Sequence, residues 1–273
     1  MGVEEILKVV LIGIVEGVTE WLPVSSTGHM ILLNEWIQLR VSDAFWDMFL
    51  VVIQLGAILA VVVIFWKRIF PFSFQKGESF VKKDIMMLWG KILIATTPAA
   101  LVGIPLEDWM DEHFYNYKAV SIALIVYGIW FLFLERDRKR TFPIRMVTDI
   151  TWKTALGIGL FQILALIPGT SRSGSTIIGG MLLGTSRTAA AQFTFYLAIP
   201  VMMGASLLKL LKFGFSFTGP ELAVLLLGMA VAFVVSLASI RFLMNYVKNH
   251  NFRVFGYYRI VLGLAVLGYF LLA

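Results

Sequence analysis

The stretch Pro23-Val24-Ser25-Ser26-Thr27-Gly28-His29 and its counterpart Pro168-Gly169-Thr170-Ser171-Arg172-Ser173-Gly174-Ser175-Thr176, about 145 positions later, interrupt an otherwise apolar chain. Each lies between apolar helical segments too short to span a bilayer, over 4–33 and 152–184. The pattern predicts two re-entrant helix hairpins, because non-helical backbone at membrane depth is tolerated where it lines a cavity. Glu16 and Glu20 precede the first break, and Arg172 stands in the second. A charge near a membrane helix centre costs roughly 2.5–3.5 kcal/mol even on the mild insertion scale, so these three would cost roughly 8–10 kcal/mol unpaired. They must be paired with one another or with a ligand.

Outward from the breaks, six stretches are long enough at about 20 residues to cross the bilayer as helices: roughly 44–66, 85–106, 117–134, 187–211, 221–244 and 254–273. The order is hairpin plus three spans, twice. A half with three spans reverses the orientation of its copy, which predicts inverted repeats with their broken helices meeting near the midplane. The expected fold is an all-α polytopic membrane protein of two inverted repeats, each a re-entrant helix hairpin plus three transmembrane helices. Both lie in one integral membrane domain over 1–273, repeat 1 about 1–140 and repeat 2 about 150–273. A second, weaker match sets Gln54-Leu55-Gly56-Ala57 against Pro200-Val201-Met202-Met203-Gly204-Ala205. Small residues recur at membrane helix contacts in any case.

Composition agrees with this class. Hydrophobic residues make up 59% and charged residues 15% of the 273-residue chain, with a mean hydropathy of +0.85, against about 45–50% and about 25% in soluble domains. The net charge of +6 comes from bases clustered in short connections, as in Lys67-Arg68, Lys82-Lys83 and Arg136 to Arg140. That is topology information rather than a nucleic-acid patch. There is no cysteine, hence no disulfide framework or thiolate chemistry, and the N-terminus has no cleavable-signal pattern. The connections 67–84, 135–153 and 245–253 are basic, whereas 107–117 carries Glu107, Asp108, Asp111 and Glu112. The basic group is therefore expected in the cytoplasm, with both termini and the first hairpin's entrance outside. Lys209 and Lys212, near an outer end, run against this assignment.

Glu16 and Glu20, spaced i, i+4, place two carboxylates on one helix face. Such a pair can hold a hard divalent cation, or divide metal binding and base work between them. Ser25, Ser26 and Thr27 can cap the next helix, whose free N–H groups make an anion site. Capping alone accounts for one hydroxyl. His29 is the histidine that falls inside an apolar region, a candidate acid/base or orienting group. Arg172 offers a planar fork suited to phosphate oxygens, or an ion pair with Glu16 or Glu20. No Walker-type phosphate loop is present, so nucleotide-driven transport has no support.

The segments Glu16-Gly17-Val18-Thr19-Glu20-Trp21-Leu22-Pro23-Val24-Ser25-Ser26-Thr27-Gly28-His29 and Pro168 to Thr176 resemble the paired signatures of the undecaprenyl pyrophosphate phosphatases, the bacitracin-resistance family. Length and span arrangement resemble that family over essentially the whole chain, with no departure at the motif positions. The resemblance implies hydrolysis of undecaprenyl pyrophosphate to undecaprenyl phosphate, which recycles the lipid carrier for peptidoglycan. It also implies a bacterial cell-membrane enzyme dependent on Mg²⁺ or Ca²⁺, with its site open to the outer leaflet. Carried onto these residues, Glu16 and Glu20 bind metal or activate the nucleophile, Ser26 attacks phosphorus, His29 acts as acid/base or orienter, and Arg172 stabilises the transferred group. Ser25, Thr27, Ser171, Ser173 and Thr176 are expected to bind phosphate oxygens. His29 or a water could replace Ser26 as the attacking group. The expected partners are the lipid substrate and the bilayer, with a homodimer compatible and nucleic acid not expected. Two rivals stand beside this reading. A phosphatidic-acid-phosphatase type of lipid phosphatase would need a second catalytic histidine after the Ser-Arg segment, where only the distant His250 occurs. A polyprenyl-phosphate transporter or flippase would share the repeat architecture.

Overall fold

The computed structural model describes residues 2–75, 79–136 and 141–272; Lys76 to Glu78 and Asp137 to Arg140, in two of the connections read above as basic, lie outside the described residues. Among the described residues the chain forms eleven α-helices and no strand longer than an isolated bridge. The first hairpin is α1 (Val3–Thr19) and α2 (Ser26–Trp36). It is followed by a span interrupted at Ile53, made of α3 (Asp43–Val52) and α4 (Gln54–Ile69), then by α5 (Lys83–Phe114) and α6 (Tyr117–Leu134). The second half repeats this order with α7 (Trp152–Ile163), α8 (Arg172–Leu182), α9 (Arg187–Phe213), α10 (Gly219–Asn249) and α11 (Arg253–Leu272). Six segments are long and apolar enough to cross a membrane: Asp43–Ile69, Lys83–Leu106, Tyr117–Leu134, Arg187–Phe213, Gly219–Asn249 and Arg253–Leu272. They are the six expected from the apolar runs.

Local chemistry sets the helix starts. Ser42, Asn116, Thr151 and Ser186 each accept a backbone N–H in the first turn of α3, α6, α7 and α9, and Thr218 with Glu221 forms a capping box on α10. One boundary differs from expectation. The acidic stretch read as a connection over 107–117 is helical as far as Phe114, and α5 carries Pro98 and Pro105 inside it. Proline is tolerated within membrane helices because neighbouring groups and local backbone adjustment re-satisfy the freed carbonyls.

The halves are interleaved. α1 packs on α10 and α7 on α5, so each hairpin rests on the second span of the other half, while α6 pairs with α11 and α4 with α10. Glycine allows the closest of these approaches: a Cβ on Gly56 would stand 2.1 Å from the Met229 carbonyl oxygen, and one on Gly159 would stand 2.4 Å from that of Ala95. Outward faces carry apolar side chains, as at Leu101, Phe133 and Val261, while polar groups of the two breaks such as Glu20, Ser25, Thr170 and Ser173 are buried among the apolar core. At the end of the bundle that carries the basic connections, the buried Glu135 carboxylate accepts from the Arg187 guanidinium fork and from the Phe252 N–H at 3.1 Å. This ties α6, α9 and the approach to α11 below the site.

Candidate active site

The two breaks are built alike. α1 ends at Thr19 with Glu20 as its C-cap, and Ser25 opens α2 from a φ of +73°, its hydroxyl accepting from the Gly28 N–H at 3.4 Å. In the other half Ser171 opens α8 from a φ of +69°, its hydroxyl accepting from the Gly174 N–H at 3.2 Å. Because Ser171 is the cap, α8 begins at Arg172. Non-glycine residues in such sparse backbone regions cost on the order of 1–3 kcal/mol and persist where the surroundings enforce them. Ser25 and Ser171 are the two that do so among the described residues.

Glu20 joins the two breaks. Its Oε2 accepts from the Ser26 hydroxyl at 3.0 Å, its Oε1 accepts from an Arg172 terminal nitrogen at 3.0 Å, and its backbone carbonyl accepts from the Ser173 hydroxyl at 3.2 Å. The other Arg172 terminal nitrogen donates to the Thr194 carbonyl at 3.0 Å, and the guanidinium lies 5.9 Å from the Trp21 ring centre. Acid from one hairpin and cation from the other thus neutralise each other out of water, with both forks of the arginine occupied.

Glu16, Ser26 and Thr27 open on a cavity of about 610 Å³. Its walls are mostly apolar or small, from Ala99, Ala100 and Gly103 of α5 and Pro200, Val201, Gly204 and Ala205 of α9. Asp47, Tyr115 and Lys209 line its other end, toward the acidic end of α5. Lys209, one of the two lysines that run against the charge assignment, thus lines the cavity. A polar floor under apolar walls suits an anionic head on an apolar chain.

The family model described as bacitracin resistance protein BacA matches residues 9–265. The chain belongs to the BacA family. It is 59% identical over 265 residues to an undecaprenyl-diphosphatase of Enterococcus faecalis, covering 96% of each chain. Proteins of the same name from Acetivibrio thermocellus and Desulfitobacterium hafniense are 58% identical over 268 residues and 57% identical over 272 residues. Those matches cover 98% of this chain and 98% of the first relative, and 99% and 98% for the second.

In this BacA-family site the remaining candidates fall into two groups. Ser26, Thr27 and Glu16 face the cavity. The hydroxyls of Ser25, Ser171, Ser173 and Thr176 already hold the breaks together: Ser25 and Ser171 as caps, Ser173 on the carbonyls of Glu20 and Leu22, and Thr176 on the Arg172 carbonyl at 2.8 Å and the Thr194 hydroxyl at 2.8 Å. His29 Nδ1 lies 2.7 Å from the Ser25 carbonyl, which can only accept, so Nδ1 carries the proton; Nε2 lies 2.6 Å from the Tyr258 hydroxyl. The Ser26 hydroxyl is bonded to Glu20, not to His29.

Arg259 escaped the sequence reading. It is fully buried, and its terminal nitrogens donate to the carbonyls of Pro23 at 3.2 Å, Gly169 at 2.8 Å and Thr170 at 2.9 Å, with the guanidinium 5.5 Å from the Tyr127 ring centre. One side chain from α11 therefore clamps both breaks. The signal was present: an arginine inside an apolar span is a functional candidate by default.

The donor set fits a divalent cation. Glu16 Oε1 is buried with no hydrogen-bond partner among the described residues, one helical turn from Glu20. No group of three or more His, Asp or Glu lies together among the described residues. A hard cation held by one or two carboxylates normally completes its shell with water and substrate phosphate oxygens.

Proposed function

We propose that this BacA-family protein is an undecaprenyl-diphosphatase, hydrolysing undecaprenyl pyrophosphate to undecaprenyl phosphate and inorganic phosphate and so recycling the carrier for peptidoglycan synthesis and supporting bacitracin resistance. The observation that carries the reading is a serine hydroxyl bonded to a buried carboxylate that is itself paired with an arginine, at the floor of an apolar-walled cavity. Ser26 Oγ attacks the terminal phosphorus and passes its proton to Glu20; the bond from that phosphorus to the bridging oxygen breaks, and the lipid monophosphate leaves. Water then attacks the phosphoserine, releasing inorganic phosphate and restoring the Ser26 hydroxyl. Arg172, whose terminal nitrogens pair with Glu20 and the Thr194 carbonyl, would exchange these partners for the phosphoryl oxygens as charge develops, since this chemistry rests on positioning and charge stabilisation. His29 orients the first break through the Ser25 carbonyl. A Mg²⁺ or Ca²⁺ held by Glu16 and Glu20 would offset the charge of the diphosphate. Transport of polyprenyl phosphate is not favoured, because the relatives are named for diphosphate hydrolysis.

Purified protein in detergent is expected to release inorganic phosphate from undecaprenyl pyrophosphate, and excess chelator to stop the release. Glu16→Gln should lower turnover and shift the metal concentration for half-maximal activity upward, because it removes one of two carboxylate ligands. Full activity in chelator would remove the cation from the mechanism. Absence of phosphate release under any condition would reject the diphosphatase reading.

The charge pattern supports a multi-pass chain of the bacterial cell membrane in which the two halves are inverted repeats within one domain, both termini are outside, and the cavity opens outward. In the cysteine-free chain, single cysteines at Gln75 and Asn249 should be shielded from an impermeant thiol reagent in intact cells, while one at Glu112 should label. The reverse pattern would turn the site to the cytoplasm. Cross-linking in native membranes tests whether the protein forms a homodimer.

A further inference from the structure

We infer that Gln54 is a further substrate-binding residue, its side-chain amide donating to the oxygens of the diphosphate; this rests on the diphosphatase reading above. The span 43–69 is broken at Ile53, and α4 starts again at Gln54, with the Gly56 N–H bonded to the Ile53 carbonyl at 3.1 Å. Gly56 presses α4 onto α10, against the Met229 backbone. Two residues apart on a helix point to nearly opposite faces, so this contact turns Gln54 away from α10 and into the cavity that Glu16 and Ser26 also line. The Gln54 side chain is half-buried and has no hydrogen-bond partner among the described residues. A partly desolvated amide left unpaired is unfavourable, and two N–H donors add hydrogen bonds to a phosphate without adding charge beside the Glu16 and Glu20 carboxylates. Pro200 of α9 lines the same cavity and brings no side-chain donor to it.

The test uses the full-length protein in detergent at fixed Mg²⁺, with Gln54→Leu and Gln54→Glu, both close in size to glutamine. For Gln54→Leu the KM for undecaprenyl pyrophosphate should rise about tenfold, as for a lost hydrogen bond to a charged group. Its kcat should fall much less, and the inhibition constant of inorganic pyrophosphate, which has no tail, should rise by the same factor. Gln54→Glu should raise both further by like-charge repulsion. A residue that merely packs would shift the thermal midpoint and leave pyrophosphate inhibition alone. Wild-type KM and inhibition in both variants overturn the inference, as does a raised KM with unchanged inhibition, which moves Gln54 to the lipid tail. If either variant fails to fold, Gln54→Met gives the same reading. Pyrophosphate binding measured by calorimetry without turnover separates the two readings. A wild-type protein that binds but does not hydrolyse removes the diphosphatase reading, and equal binding by wild type and Gln54→Leu removes this one.

Discussion

Replacing Ser26 by alanine is expected to lower phosphate release by on the order of 10³-fold or more while leaving binding of the lipid pyrophosphate within a few-fold of wild type. The Ser26 hydroxyl donates to the Glu20 carboxylate at 3.0 Å and lines the cavity, so removing it would delete the proposed attacking atom and strand its base. Ground-state affinity rests on many donors, of which one hydroxyl contributes modestly. The measurement is turnover and equilibrium binding on the same folded preparation. Retention of more than a tenth of wild-type turnover would exclude serine attack and leave water as the nucleophile, with Glu20 as its base. His29 is poorly placed to take over, because both ring nitrogens are engaged, with the Ser25 carbonyl and the Tyr258 hydroxyl.

Arg259→Met should be as damaging for a different reason. The side chain touches no carboxylate among the described residues; it donates to backbone carbonyls in both breaks. Its loss leaves three carbonyls in a dry interior without a donor and unties the two hairpins. The expected destabilisation is about 3–5 kcal/mol, as for breaking a buried charged network, or roughly 6–20 °C in thermal midpoint for a chain of this size. Turnover should fall by on the order of 10²-fold or more even at temperatures where the protein stays folded, because displacement of the reacting groups by about 1 Å has that effect. Arg259→Lys restores the charge but cannot reach all three carbonyls, so it should recover part of the stability and little of the activity. A methionine variant with wild-type stability and turnover would show that the breaks hold their geometry without the clamp.

The spans, the two hairpins and the roster of polar residues were legible because they are local properties. The length of an apolar run, a proline break and a serine three positions before a glycine act on the chain within a few residues, whatever it later packs against. The reading failed where a local signal was outweighed. The acidic residues suggested a connection over 107–117, yet α5 continues to Phe114. Which of several adjacent hydroxyls caps α8 was not legible, and Ser171 took that place.

Pairing across the molecule was a different matter. From sequence alone, Glu16 and Glu20 are equal claimants for Arg172, and either carboxylate or His29 can serve Ser26. Packing α1 on α10 and α7 on α5 brings Glu20 to Arg172, 152 positions away, sends His29 to Tyr258, 229 positions away, and leaves Glu16 Oε1 unpaired beside the cavity. Arg259 reaches the Pro23 carbonyl 236 positions away for the same reason. By itself the sequence determined that charges and hydroxyls stand at two membrane-depth breaks, since burying them without partners would be too unfavourable to persist. Only the tertiary structure decided which partner each one has, because that depends on the rotation and depth of helices distant in the chain, and a few ångströms separate an ion pair from an empty ligand site.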